Sequence, residues 1–235
     1  MLFPTYGAMQ HIVANKKVAL SALGENLLTT NDLKSRLHPN TNMPVRGLFY
    51  LPDVVINGQE IIAELDKQPW KPITKSTNSR KVQHYGFSYD YASGKVGTVC
   101  EDIPPCLMGL RQMLADFCTG AGLADAHYDP NQCIVNDYQP GQGISKHIDA
   151  AGYGPVIGCF TLGSGGVMTF RHQGDVEDLY VQADSLYVMT GDARYQWTHE
   201  MPSRQSDKVN GERIKRGRRV SITFRSVMSP LETRR

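Results

Sequence analysis

Apolar positions recur at helical spacing or in short bursts up to about residue 120, and from Asn131 onward they alternate. Leu48-Phe-Tyr-Leu51 is an apolar run that predicts a strand. After the Asn57-Gly58 turn, Ile61, Ile62 and Leu65 share one face, which predicts a helix over Gln59–Lys67, stopped by Pro69. Lys71–Ser79 is polar and reads as a loop. Arg80 to Tyr91 alternates aromatic and polar residues and predicts a β-hairpin or paired strands, with a loop over Gly94–Cys100. Pro104-Pro105 opens a second helix with Leu107, Leu110, Met113, Leu114 and Phe117 along one stripe and Gly120 near its end. Eight short β-rich runs follow: Gln132–Tyr138, Ser145–Asp149, Val156–Leu162, Val167–His172, Asp178–Gln182, Ser185–Met189, Arg194–Thr198 and Arg219–Arg225. So many short strands at close spacing predict two packed sheets.

The expected fold is α+β and mainly β: a double-stranded β-helix (jelly roll) with N-terminal helices packed on one sheet and a β-hairpin lid at about 71–100. One domain accounts for residues 46–227. Residues 1–45 read as an extension and linker, with a helix near Lys16–Leu28 and a turn-rich His38–Pro44, and residues 228–235 as a tail.

Composition adds limits. With 40% hydrophobic and 20% charged residues, the 235-residue chain can bury a core without staples. Net charge is only +2, yet from Pro202 to Arg235 ten Lys/Arg face three acids. That segment predicts a basic surface suited to phosphates, or else a solvated tail. Five scattered cysteines without a CxxC pair fit a reducing compartment, cytoplasm or nucleus. The first forty residues hold only the acids Glu25 and Asp32, which leaves room for an organelle presequence. No apolar run is long enough to span a bilayer. A monomer is expected.

The candidate chemistry centres on Asn136-Asp-Tyr-Gln-Pro-Gly-Gln-Gly-Ile-Ser-Lys-His147-Ile-Asp149. On a strand, residues two apart face the same way, so His147 and Asp149 would aim at one spot. His199, late among the strands, can close on them in a jelly roll. Two imidazoles and a carboxylate form the facial triad of non-haem Fe(II) oxygenases, although a zinc hydrolase draws on the same residue types. The last strand favours iron, unless its arginines are a surface pair on an edge strand. Arg219 and Arg225 are six apart, on one face with Ser221 and Thr223. A buried arginine suits the distal carboxylate of 2-oxoglutarate, the cosubstrate such iron sites use with dioxygen.

Together Asn136-Asp-Tyr138, His147-Ile-Asp149, His199 and the run R-V-S-I-T-F-R from Arg219 to Arg225 resemble the AlkB family of Fe(II)/2-oxoglutarate dioxygenases. The resemblance covers about residues 46–227. It implies Fe(2+) on His147, Asp149 and His199, and 2-oxoglutarate hydrogen-bonded by Asn136 and Tyr138 and paired with Arg219. Arg225 would sit near the cosubstrate or the metal aspartate. The run from Arg80 to Tyr91 resembles that family's nucleotide-recognition lid. Tyr85, Phe87, Tyr89 and Tyr91 would stack on an extruded base, Arg80, Lys81 and Lys95 would meet phosphates, and His84 a base edge. The implied activity is oxidative demethylation of N-alkylated nucleobases in DNA or RNA. Alternatives are hydroxylation of a tRNA base side chain, a protein substrate, or a non-catalytic nucleic-acid binding module. The stretch Leu186–His199, with the basic stretch after it, is most similar to the tRNA-modifying and other eukaryotic-type members; the tRNA enzymes carry extra RNA-binding and methyltransferase domains that 235 residues would not hold.

Overall fold

A computed structural model describes residues 45–76 and 78–227. The expected helix near Lys16–Leu28, the His38–Pro44 linker and the C-terminal tail lie outside the described residues.

Two antiparallel sheets face each other. The larger has seven strands: β1 (Leu48–Leu51), β2 (Lys71–Pro72), β3 (Lys81–Tyr85), β6 (Gln132–Tyr138), β8 (Tyr153–Leu162), β11 (Ser185–Met189) and β15 (Arg219–Val227). They lie in the order β1-β11-β8-β15-β6-β3-β2. The smaller has four: β7 (Ile144–His147), β9 (Gly166–His172), β10 (Asp175–Val181) and β12 (Thr198–Met201), in the order β10-β9-β12-β7. Helices α1 (Gly58–Leu65) and α2 (Pro105–Gly120) cover the outer face of the larger sheet. The expected jelly roll with helices on one sheet is the observed fold.

Period-two alternation explains the layers. On β8, Val156, Phe160 and Leu162 join Leu107, Leu110 and Leu114 under the helices. The intervening Ile157 and Cys159 face the smaller sheet with Met168, Phe170 and Met201. On β15, Val220, Ile222 and Phe224 face the helices, whereas Arg219, Ser221, Thr223 and Arg225 line a pocket between the sheets. A strand in the middle of such a fold is buried on both faces, so its polar face must find internal partners.

Four expectations are corrected. First, Arg80–Tyr91 is not a hairpin. β3 pairs with β6 in the larger sheet, and β4 (Phe87–Asp90) pairs instead with β5 (Lys95–Val99). Gly86 separates them at φ +74, where a Cβ would strike the Asn131 carbonyl, so the chain changes sheets there. The supposed loop Gly94–Cys100 is therefore mostly strand, and the hairpin of the lid spans 87–99, narrower than 71–100. Second, Arg194–Thr198 is not a strand. A short helix, α3 (Gly191–Tyr195), precedes β12, and burial of Arg194 outweighs the strand propensity of the aromatic run. Third, β7 ends at His147, so Asp149 lies in the following loop.

Fourth, much of the C-terminal basic stretch is not surface charge. Arg216 is buried against Asp207, and Arg218 bridges Asp66 and Asp137. Arg219 and Arg225 point inward, while β13 (Ser206–Val209) and β14 (Glu212–Lys215) leave Lys208, Arg213 and Lys215 exposed. Half-buried and buried arginines take these partners because an unpaired charge away from water is costly.

Gly158 marks the tightest contact between helix and sheet: a Cβ there would overlap Leu114 Cδ1 and Cδ2. Gly158→Ala should therefore overpack this layer at a cost of about 1–3 kcal/mol. Urea unfolding checks it; a midpoint equal to wild type would mean that α2 yields freely.

Candidate metal and cosubstrate site

The smaller sheet brings two imidazoles together. His147 and His199 are direct partners across β7 and β12, with ring centroids 4.3 Å apart. The loop after β7 returns Asp149 to the same point, so that ligand atoms of His147, Asp149 and His199 lie within 4.8 Å of one another. His147 Nδ1 is 2.8 Å from the Ser145 carbonyl, which orients the ring and leaves Nε2 for another partner. His147 and Asp149 do come together as the spacing suggests, but a turn rather than strand pleating aims the carboxylate.

The carboxylate is held from one side. Arg225 Nη2 donates to Asp149 Oδ1 at 3.0 Å, while Asp149 Oδ2 is buried and has no hydrogen-bond partner. Burial pushes the Asp149 pKa up, but Arg225, His199, His147 and Arg194 more than offset it and hold it at about 2. Burial lowers His199 to about 4 against the pull of Asp149, so the ring is neutral near pH 7. Its Nδ1 also lacks a partner. An anionic oxygen without a partner beside the neutral His199 ring and the His147 Nε2 is a donor set that a divalent cation completes, and Fe(II) fits it with coordination positions left open.

The larger sheet supplies the other wall. A pocket between the sheets is lined by the triad together with Asn136, Tyr138, Cys159, Tyr187, Arg219, Ser221, Thr223 and Arg225. The β6–β15 register sets Arg219 opposite Tyr138 and Ser221 opposite Asn136. Arg219 is 4% exposed and donates to Thr161 Oγ1 at 2.9 Å, while its Nε has no partner. Among the described residues it makes no ion pair. A buried guanidinium without a counter-ion calls for an anion from outside the chain, and a carboxylate matches its fork.

The lid residues divide. Tyr85 is 7% exposed, packs in the core under the helices and bonds Gln83, so the expectation that it stacks on a base is withdrawn. Its position on the core side of β3 explains this. Arg80 points inward: Nε donates to Asn136 Oδ1 at 3.1 Å and its guanidinium lies 5.9 Å from the Tyr138 ring. His84 Nε2 and Tyr91 Oη are 3.0 Å apart with their rings stacked, and Tyr91 meets Tyr89 edge-on. Tyr89 stacks beside Tyr153, whose ring lies 4.8 Å from Arg225 Cζ. An aromatic wall therefore runs from the lid to the residue that grips Asp149. Phe87 is half-buried, whereas Lys81 and Lys95 are exposed.

Sequence reasoning missed Tyr153, Thr161, Tyr187 and Arg194. Tyr153, Thr161 and Tyr187 lie on apolar strands whose registers alone bring them to the site. The usable signal was the phase of β8, since Ile157, Cys159 and Thr161 share a face.

A sequence model of the 2OG-Fe(II) oxygenase superfamily matches residues 57–225. The chain belongs to the AlkB family of Fe(II)/2-oxoglutarate dioxygenases. It is 33% identical over 208 residues to the tRNA (carboxymethyluridine(34)-5-O)-methyltransferase alkbh8 of Xenopus tropicalis, covering 77% of this chain and 32% of that protein. With the Alkylated DNA repair protein ALKBH8 homolog of Arabidopsis thaliana it shares 30% over 216 residues, 80% of this chain and 60% of that one. The chain thus spans between a third and three fifths of the length of these relatives. The fold of OsALKBH1 superposes with a TM-score of 0.55 at 16% identity, over 77% of this chain and 96% of that one. This AlkB-family chain is accordingly a dioxygenase that uses Fe(2+), 2-oxoglutarate and O2.

Two outcomes follow. Arg219→Ala should raise the 2-oxoglutarate concentration needed for half-maximal turnover about 10- to 100-fold, the loss of a charge-assisted pair. Initial rates of succinate formation read this, and an unchanged requirement would remove Arg219 from the cosubstrate site. In metal-free protein the depressed His199 pKa links folding to pH. The unfolded imidazole protonates near 6.5 while the folded one stays neutral to about 4, so stability falls as pH drops from 6.5 toward 4. The Asp149 contribution is lost lower, between 3.8 and about 2. Urea midpoints of chelator-treated protein should therefore fall with acidification less steeply in His199→Gln than in wild type; parallel curves would show that His199 is not buried as neutral imidazole.

Proposed function

We propose that this chain oxidises an N-methyl group on a nucleobase presented by a nucleic acid, and that it releases the methyl carbon as formaldehyde. The observation that carries this reading is the aromatic wall of His84, Tyr91, Tyr89 and Tyr153, contiguous with Arg225 and Asp149. Flat apolar faces beside a metal triad suit an extruded base, whose stacking on tyrosine is insensitive to sequence. The exposed Lys81 and Lys95 suit phosphates on either side. Relatives named for tRNA methylation and DNA repair support a nucleic-acid substrate.

In this reading His147, Asp149 and His199 hold the iron. Arg219 takes the distal carboxylate of 2-oxoglutarate, with Asn136 and Tyr138 as hydrogen-bonding partners. When bound, iron and 2-oxoglutarate let dioxygen decarboxylate the cosubstrate to succinate and CO2 while one oxygen atom enters a substrate C–H bond. The chain's own part is geometric. Arg225 fixes Asp149, which keeps the triad on one side of the pocket. Tyr89 and Tyr91 hold the base with its methyl group toward the triad and keep water out. The hydroxymethyl product on nitrogen then loses formaldehyde: the C–N bond breaks with its electron pair left on nitrogen, and the hydroxyl proton passes to that nitrogen where it is an exocyclic amine, or to solvent where the alkylated ring was cationic.

A second reading, stable hydroxylation of a uridine side chain in tRNA, is favoured by the carboxymethyluridine activity named for the Xenopus relative. One assay separates them. Purified protein with Fe(II), 2-oxoglutarate and ascorbate is incubated with RNA and DNA oligonucleotides bearing 1-methyladenine, 3-methylcytosine or 6-methyladenine, and with tRNA. Mass spectrometry should show loss of a methyl mass with equimolar succinate and formaldehyde. A gain of one oxygen mass on tRNA without formaldehyde would replace the first reading with the second. Succinate formation that no nucleic acid stimulates would sink both.

A further inference from the structure

Arg194 is 2% exposed and makes no ion pair among the described residues. Its guanidinium instead donates to four backbone carbonyls, two in the loop after β7 and two on the first residues of β8. Nη1 reaches Asp149 O at 3.0 Å, Nη2 reaches Ala150 O at 2.8 Å and Tyr153 O at 3.3 Å, and Nε reaches Gly154 O at 3.3 Å. This loop joins β7 to β8 and carries Asp149, yet its backbone has few bonds of its own, such as Tyr153 N to Ala150 O at 3.1 Å. Carbonyls turned inward without partners are costly, and here one planar fork satisfies them together.

The anchor has a second attachment. Arg194 belongs to α3, and the chain reaches His199 five residues later. The helix is tied to the segment before β12 by Gln196 N and Trp197 N, both donating to Asp192 O. One side chain therefore joins the segment leading to His199 to the loop bearing Asp149. Arg225 grips only Asp149 Oδ1 and leaves Oδ2 bare. If the loop relaxed, the carboxylate could turn both oxygens to Arg225 or swing away, and Oδ2 would leave the triad.

We propose that Arg194 is the positioning residue of the metal carboxylate, fixing the Asp149–Gly154 backbone so that Oδ2 stays aimed at the triad. The inference rests on the reading of His147, Asp149 and His199 as the metal site. Its structural half, the clamp on the loop, stands apart from that reading and can be tested without metal.

The test uses the full chain as wild type, Arg194→Lys, and a control, Arg216→Lys, which alters another buried arginine whose partners are Asp207 and Pro202 O. Mn(II) stands in for Fe(II), and free Mn(II) is followed by electron paramagnetic resonance. Arg194→Lys should weaken Mn(II) binding about 10- to 100-fold, the range found for residues that orient metal ligands. In metal-free protein, hydrogen–deuterium exchange should quicken in peptides covering 149–154 and stay unchanged in the rest of β8, from Pro155 to Leu162, and in β15. Arg216→Lys should lower the melting temperature without moving Mn(II) affinity. If Arg194→Lys does not fold, Arg194→Gln, which keeps two N–H donors, is read the same way. Mn(II) affinity within twofold of wild type, or faster exchange spread evenly over both sheets, would overturn the proposal. Wild-type protein that binds no Mn(II) would instead overturn the reading of the triad, and exchange at 149–154 would still report on the clamp.

Discussion

Arg225 and Asp149 meet at 3.0 Å between the two sheets, with about nine tenths of each side chain out of solvent. Neither would be tolerable alone. Burial works against the Arg225 charge and the Asp149 charge alike, and each is kept ionised by the other. Taking two charges out of water brings little net stability, and removing one partner strands the other. What the pair supplies is position. It sets the end of β15 against the loop after β7, so the arginine-bearing face of β15 and the His147–Asp149–His199 cluster share a corner. Arg194 draws the same loop in from the opposite side through its backbone. The triad carboxylate thus hangs between two arginines, one on its side chain and one on its carbonyls.

The face of β15 opposite the arginines is wholly apolar, and this two-sidedness organises the rest. Val220, Ile222 and Phe224 anchor the helices, so the strand cannot slip by one residue without driving arginines into the core. Once that phase is set, pairing with β6 puts Arg219 beside Tyr138 and Arg225 beside Gln132. Packing energy on one face therefore fixes chemistry on the other. Arg219 differs from Arg225 in its charge partner: Thr161 Oγ1 accepts from it, and no carboxylate pairs with it among the described residues. That difference leaves one arginine committed to the protein and one available to a ligand.

This also explains what could be read from the chain beforehand. β15 and the two helices announce themselves because each has a single period with an apolar stripe, and β6 because it is a short β-rich run bounded by Asn131 and Pro140. His199 was legible only as a late residue in a fold where late strands return to early ones. Register was not legible: nothing local in Tyr153, Thr161 or Tyr187 distinguishes them from ordinary strand residues. The lid was misread because β3 finds its partner in β6, some fifty residues away, while its aromatic alternation runs on unbroken into β4. A single left-handed glycine, Gly86, divides two strands that composition would join. The basic C-terminal stretch misled for a related reason. Local charge counts cannot show that Asp207, Asp137, Asp66 and Asp149 lie where those arginines arrive.

Arg80 shows how this bears on selectivity. Its sequence neighbourhood suggests an outward phosphate contact, yet it turns in against Asn136 and toward the Tyr138 ring, the face of the cosubstrate pocket nearest the lid. Tyr91, close enough to feel its charge, is held by His84 of β3. The lid is therefore not a separate flap laid over a finished site. Its aromatic edge rests on residues that also shape the cosubstrate wall, through Arg80 on one side and through Tyr153 and Arg225 on the other. On the proposed reading, a base stacked on Tyr89 or Tyr91 would press on the same contacts that order the pocket, and substrate and cosubstrate would share part of one framework. In such a site, changes made to the lid to admit a different base are constrained by what they do to Asn136, Tyr138 and Arg225, which ties substrate choice to the geometry of the triad.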